Sequence, residues 1–307
     1  MDATVSSDID RSVAVSLDAV TKIYRGGGGV HELSLGIGVG EVFGFLGPNG
    51  AGKTTTIRLI LDLIRPSAGR IRVFGLDSRA ESVAIRRRVG YLPGELALYE
   101  RLSARQILTH FAYLRGGLDW SRAQHYVDAF DLDVDRPVRT LSRGNRQKVG
   151  LVAAMMGDPE LLVLDEPTSG LDPLVQRTVK EELRRAAGEG RTVLLSSHVL
   201  SEVGEMADRV GLIRAGRLIA IESVAQLQGR AAHLIEARFR EPTDVGSFLE
   251  LPGVLSHRAD ERSLHLEVAG DLNALVALLA RHDLEDVSIR EPTLEELFLR
   301  FYGTPGD

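Results

Sequence analysis

The residues with the clearest chemistry are Gly47-Pro48-Asn49-Gly50-Ala51-Gly52-Lys53-Thr54, which fit the phosphate-binding pattern G-x-x-x-x-G-K-[ST] without a mismatch. Glycines at 47, 50 and 52 let the backbone curl so that several N–H groups converge on one cavity backed by a helix N-terminus, and such a cavity suits the phosphates of a nucleotide. Lys53 then reaches the β- and γ-phosphates, and the Thr54 hydroxyl coordinates Mg²⁺, with Thr55 next in line. A glycine-rich turn with a chance lysine is the bland alternative. The flanks disfavour it: Val42-Phe43-Gly44-Phe45-Leu46 reads as a buried strand, and Ile57, Ile60, Leu61 and Ile64 recur at helical spacing from Thr54 until Pro66 ends the pattern.

A second apolar run, Leu161-Leu162-Val163-Leu164, ends in Asp165-Glu166. After a phosphate loop, such a strand places Asp165 beside the Mg²⁺ shell, directly or through water, and leaves Glu166 to polarise an attacking water. Alone, a strand ending in two carboxylates says little; at domain-scale distance from Lys53 it says much.

The elements that must position these groups alternate between strand and helix. Val13, Val15 and Leu17 predict a first strand, Thr21 to Tyr24 a second short one, and Leu33, Leu35, Ile37 and Val39 a half-buried third. Strands at 71–74, 89–92, 161–165, 192–196 and 209–213 alternate with helices such as 174–187, the pattern of a sheet with crossovers. Helices from Ser103 to Leu114 and Ser121 to Phe130 form an insert, and Arg217 to Ala220 closes this part. The rest reads strand 233–239, helix 243–250, strands 254–257 and 263–268, helix 272–282 and strand 286–290, the β-α-β-β-α-β order of a ferredoxin-like α+β domain, then a helix from Thr293 to Tyr302. No catalytic constellation marks that region.

With 44% hydrophobic and 26% charged residues, the 307-residue chain is ordinary for a soluble globular protein. Its formal charge of −6 argues against a nucleic-acid partner. No cysteine is present, which excludes disulfides and thiolate metal sites. Neither a membrane-length apolar run nor a secretory leader is evident, and Met1 to Arg11 reads as a polar tail.

Between the two chemical motifs lies Leu141-Ser142-Arg143-Gly144-Asn145-Arg146-Gln147, opening a helix to about Met156. This run resembles the signature motif, usually L-S-G-G-Q, of the ATP-binding-cassette (ABC) ATPases. Ser169-Gly170-Leu171-Asp172 resembles their D-loop, Ser197-His198 their switch histidine, and Tyr24 the aromatic residue that stacks on adenine. The likeness covers about residues 13 to 220. It implies a P-loop NTPase cassette with a mixed sheet over 13–225, its helical insert at about 95–158, between a tail at 1–12 and an accessory domain at 226–307. It further implies a composite ATP site: Lys53, Thr54, Asp165, Glu166 and His198 from one subunit, with Ser142 and Gly144 closing on the γ-phosphate from a second cassette, and Asp172 beside them. Read alone, Ser142 is an ordinary helix cap, and His198 is equally well a surface histidine after a strand.

The pattern departs from the family in two places. Arg143 and Asn145 replace Gly and Gln of the signature, and Arg143 either touches phosphate or faces solvent. The family's Q-loop has Gln after Tyr-Leu-Pro, whereas Tyr91-Leu92-Pro93 is followed here by Gly94-Glu95; Glu95 is the candidate to supply the missing Mg²⁺ ligand. The resemblance implies an ATPase subunit on the cytoplasmic face of the cell membrane, working with separate integral-membrane permease subunits. The phosphate loop and Glu291 to Phe298 look most like drug or antibiotic exporters; importer cassettes and soluble non-transport members are the alternatives.

Overall fold

The computed structural model describes residues 12–117, 120–229, 232–293 and 296, and the chain divides into two compact units at Glu222/Ser223. The tail at 1–11 and the helix expected at 293–302, apart from Thr293 and Glu296, lie outside the described residues.

The first unit carries two sheets. β1 (Val13–Ile23), β2 (Gly29–Gly38), β4 (Ala68–Val73) and the short β5 (Leu76–Asp77) form an antiparallel sheet in the order β2-β1-β4-β5. Where the alternation predicts two strands, β1 is one continuous strand with a bulge. Ala19 sits at φ 45° and its N–H donates to Ser34 Oγ at 3.0 Å, so the interruption is absorbed locally.

The second sheet contains β3 (Val42–Leu46), β6 (Val89–Leu92), β7 (Leu161–Asp165), β8 (Thr192–Ser197), β9 (Arg209–Arg214) and β10 (Arg217–Ser223), in the order β10-β9-β3-β8-β7-β6. From β9 to β6 all neighbours are parallel. Every residue of β3, β7 and β8 is buried, as continuous apolar runs in a sheet covered on both faces require.

Helix α1 (Lys53–Ile60) shares one apolar cluster with both sheets: its Ile57, Leu59 and Ile60 meet Leu17 and Leu35 of the first sheet and Phe45 and Val163 of the second. Each such fully buried side chain contributes about 1.5–3 kcal/mol. The helix is shorter than its pattern, which runs to Ile64. Asp62 turns left-handed at φ 51°, and the N–H groups of Asp62 and Leu63 return to the carbonyls of Leu59 and Arg58 in a Schellman closure.

The crossover α2 (Ser82–Arg87) precedes β6, and the helical insert follows with α3 (Ala104–Leu114), α4 (Trp120–Ala129) and α5 (Arg143–Met155). Ser103 caps α3 in a full capping box with Gln106. Helices α6 (Pro173–Gly188) and α7 (Leu200–Gly204) complete the crossovers.

The second unit contains α8 (Val224–Gly229), β11 (His233–Phe239), α9 (Gly246–Leu249), β12 (Val254–Ala259), β13 (Ser263–Val268), α10 (Asn273–Leu279) and β14 (Leu284–Arg290). Its sheet runs β12-β13-β11-β14 with antiparallel neighbours, the ferredoxin-like order. Ile235, Phe239, Leu264 and Leu266 face Phe248 and Leu275 in its own core. Helix α9 is half the expected length, because Asp244 Oδ1 accepts the Gly246 N–H at 2.9 Å and turns the chain before the helix starts.

Candidate active site

Sheet order decides which residues meet. β8 lies between β3 and β7, and the register pairs Phe45 with Ser196 and Ser196 with Asp165, so the three strands end side by side. The phosphate loop leaves β3, Asp165-Glu166 closes β7, and Ser196-Ser197-His198 closes β8. Ligands of open parallel sheets sit outside these carboxyl ends.

The loop itself requires its glycines. A Cβ at Gly47 would overlap the Ile213 carbonyl. Gly52, left-handed at φ 112° immediately before α1, would bring one within 2.9 Å of Val30 Cγ1. Pro48, Asn49 and Gly50 are exposed, whereas Ala51 is buried, its N–H donating to the Pro48 carbonyl at 3.1 Å. Lys53 is only 6% exposed; its ammonium donates to the Gly47 carbonyl at 2.6 Å and the Pro48 carbonyl at 3.3 Å, and lies 3.5 Å from Glu166 Oε1. A buried cation facing carbonyls of a phosphate loop and a carboxylate is a charge ready for an anionic ligand. Thr55 is half-buried in the first turn of α1.

Asp165 is buried, and both its oxygens accept: Oδ2 from the Thr54 hydroxyl at 2.7 Å, Oδ1 from the Ser196 hydroxyl at 2.5 Å. Burial, and then the negative charge of Asp165, push the Tyr91 phenol above its usual range and keep it protonated. Glu166 stands in the left-handed region at φ 53°, its N–H donating to the Ser196 carbonyl and hydroxyl, both at 3.2 Å. His198, half exposed, places Nδ1 2.8 Å from Glu166 Oε2. A hydroxyl and a carboxylate held together fit Mg²⁺, which takes one or two protein oxygens and completes its octahedron with phosphate and water.

The structure thus brings together Lys53, Thr54, Asp165, Glu166 and His198. Ser142 caps α5, its Oγ accepting the Asn145 N–H at 3.2 Å. At Gly144 a Cβ would stand 2.7 Å from the Gly170 carbonyl, so α5 starts in close contact with the segment after Glu166. Arg143 donates to Ser169 Oγ at 3.1 Å across the same contact. Asp172 caps α6 through the N–H groups of Leu174 and Val175. Among the described residues, no hydrogen bond joins Ser142, Gly144 or Asp172 to the phosphate loop. Tyr24 is 40% exposed at the start of the β1–β2 turn, which ends at Gly29, whose carbonyl borders Gly52. Gly94, not Glu95, adjoins Asp165: a Cβ there would lie 3.0 Å from its Oδ2. The Glu95 side chain is exposed and has no partner among the described residues. Two residues escaped sequence reasoning, Ser196 and Gln147; a polar end on the apolar run Val193-Leu194-Leu195 is the signal that marks the first.

A phosphate loop on β3 with acidic and histidine residues on adjacent parallel strands defines a P-loop nucleoside triphosphatase. Residues 30–169 match the ABC transporter family. The daunorubicin resistance ATP-binding protein DrrA3 of Streptomyces coeruleorubidus is 38% identical, over 94% of this chain and 96% of that protein. The daunorubicin/doxorubicin resistance ATP-binding protein DrrA of Streptomyces peucetius is 35% identical, over 96% and 94%. An ATP-binding subunit of an ABC transporter superposes with a TM-score of 0.65 at 27% identity, over 70% of this chain and 92% of that one. A dimeric ATP-binding cassette in a post-hydrolysis state, bound to ADP and Pi, superposes with a TM-score of 0.63 at 24% identity, over 68% and 98%. The chain belongs to the ABC transporter ATP-binding subunits and is an ATPase. No helix among the described residues is long and apolar enough to cross a membrane.

Replacing Ser196 with Ala removes the donor on Asp165 Oδ1 inside a fully buried site. The expected loss is about 1.5–3 kcal/mol of stability, read as a lower unfolding midpoint in urea. A change below about 0.5 kcal/mol contradicts this reading of the bond.

Proposed function

We propose that this subunit energises export of a drug or antibiotic through a separate membrane permease, from the cytoplasmic face of the cell membrane. The support is the match to two daunorubicin-resistance ATP-binding proteins over nearly the whole chain, second unit included. The Nod factor export ATP-binding protein I of Rhizobium meliloti, 33% identical over 95% of this chain, is a further exporter subunit.

The observation that carries the chemistry is Glu166 held between Lys53 and His198. In this reading Lys53 turns from its loop carbonyls to the β- and γ-phosphates, which the backbone of residues 47–52 cradles. Thr54 and Asp165 hold Mg²⁺, and Tyr24 stacks on adenine. Glu166 draws a proton from water as its oxygen bonds to the γ-phosphorus and the bridge to the β-phosphate breaks, releasing ADP and phosphate. His198 steadies Glu166 and the γ-phosphate. A second copy of the chain supplies Ser142 and Gly144, whose helix start is an anion site, and Asp172 lies at the same junction. Glu95, one residue beyond Gly94, would supply a further oxygen toward Mg²⁺ in place of the family's glutamine. ATP binding draws two copies together, and phosphate release parts them and drives the permease.

In the purified full chain, Glu166→Gln is expected to lower kcat about 100-fold or more while ATP still binds, and Glu95→Ala to raise the Mg²⁺ concentration needed for half-maximal rate. Parental ATPase rates in Glu166→Gln remove the assigned base; an unchanged Mg²⁺ dependence removes Glu95. For the transport reading, cells expressing the chain with its permease should accumulate less daunorubicin than cells expressing the Glu166→Gln chain. Equal accumulation of this and other drugs, with ATPase intact, turns the reading toward an importer or a soluble member.

A further inference from the structure

We propose that Gln147 is a positioning residue for hydrolysis: from helix α5 it fixes the backbone of Glu166, and through it the direction of the carboxylate. The inference rests on the reading of Glu166 as the residue that orients the attacking water.

Gln147 lies in the second turn of α5 and is 8% exposed. Its Nε2 donates to the Glu166 carbonyl at 3.0 Å and to the Pro167 carbonyl at 3.2 Å. Two carbonyl oxygens accept only, so the NH₂ end of the amide must face them. On its other side Glu166 is tied by its N–H to the carbonyl and hydroxyl of Ser196. Between these ties the residue adopts φ 53°, a left-handed conformation that an L side chain disfavours and that persists only where its surroundings over-determine it. Ser196 alone holds the N–H side. Without Gln147 the Glu166 carbonyl keeps only the Ser169 N–H, at 3.2 Å, and the Pro167 carbonyl loses its side-chain donor; the turn after Glu166 loosens, and the carboxylate leaves Lys53 and His198.

No hydrogen bond joins the Gln147 side chain to Lys53, Thr54 or Asp165 among the described residues, so it acts through Glu166. The same helix begins at Ser142, the residue that a second copy's nucleotide would meet. One side-chain amide therefore links the segment that senses the neighbour to the group that orients water. A second glutamine gives an internal comparison. Gln176 Nε2 donates to the carbonyls of Thr168 and Leu171, both at 3.3 Å, and holds the following turn without touching Glu166.

The test measures ATPase kinetics and binding of a fluorescent ATP analogue in the full chain. Gln147→Met keeps the volume and removes the donor; Gln147→Glu turns acceptors toward the carbonyls. Both should lower kcat at least about tenfold with the nucleotide Kd within about threefold of the parent, whereas Gln176→Met should lower kcat less than about threefold. Added to Glu166→Gln, Gln147→Met should cause no further loss, because its effect passes through the missing carboxylate. Parental kcat in either folded Gln147 variant, or a further tenfold loss on top of Glu166→Gln, overturns the inference. Parental activity in Glu166→Gln instead overturns the reading beneath it, and the inference with it; failure of Gln147 alone leaves that reading standing.

Discussion

A buried carboxylate cannot be left without partners, and the site is arranged around that constraint. Asp165 is 1% exposed, and stripping one such charge of its donors costs several kcal/mol. Its two donors come from different places in the fold: Thr54 from the helix after β3, Ser196 from the end of β8. The carboxylate therefore ties the ends of β3, β8 and β7 together. That tie brings Lys53, Glu166 and His198 together at adjacent strand ends. Glu166 and His198 follow their strands by one residue each, and Lys53 heads the helix that the loop delivers. The apolar cluster shared by α1 and both sheets supplies the stability behind this arrangement, and the carboxylate supplies its register.

Much of this was legible in the sequence because it is local. A glycine loop between an apolar strand and a helix is written in consecutive residues, and so is a strand that ends in Asp165-Glu166. The resemblance to the ABC ATPases added Ser142, Gly144 and His198, which their own surroundings left as a cap, a glycine and a surface histidine. What was hidden depends on strand order. Ser196 becomes a partner of Asp165 only because β8 inserts between β3 and β7, and nothing in either segment states that neighbour. The continuous β1 and the early end of α1 were missed for a related reason. Left-handed Ala19 and Asp62 redirect the chain where hydrophobic periodicity alone runs on.

The departures from the family pattern now have surroundings. Arg143, in place of a signature glycine, reaches Ser169 of the same chain, and the neighbouring Gly144 is needed because the Gly170 carbonyl presses against it. The signature and the segment after Glu166 are thus in contact within this chain. The Q-loop departure is of another kind. Gly94 leaves the flank of Asp165 without a side chain, and Glu95 is exposed.

Electron paramagnetic resonance of Mn²⁺, used in place of Mg²⁺ and titrated into the full chain with ATP, addresses the shared role of Asp165 and Thr54 most directly. The expected result is one metal bound with the nucleotide, with phosphorus couplings in its spectrum, and a loss of metal affinity of about tenfold or more in both Asp165→Asn and Thr54→Ala. Metal held as tightly, with the same couplings, in both variants as in the parent would contradict a site built on that carboxylate.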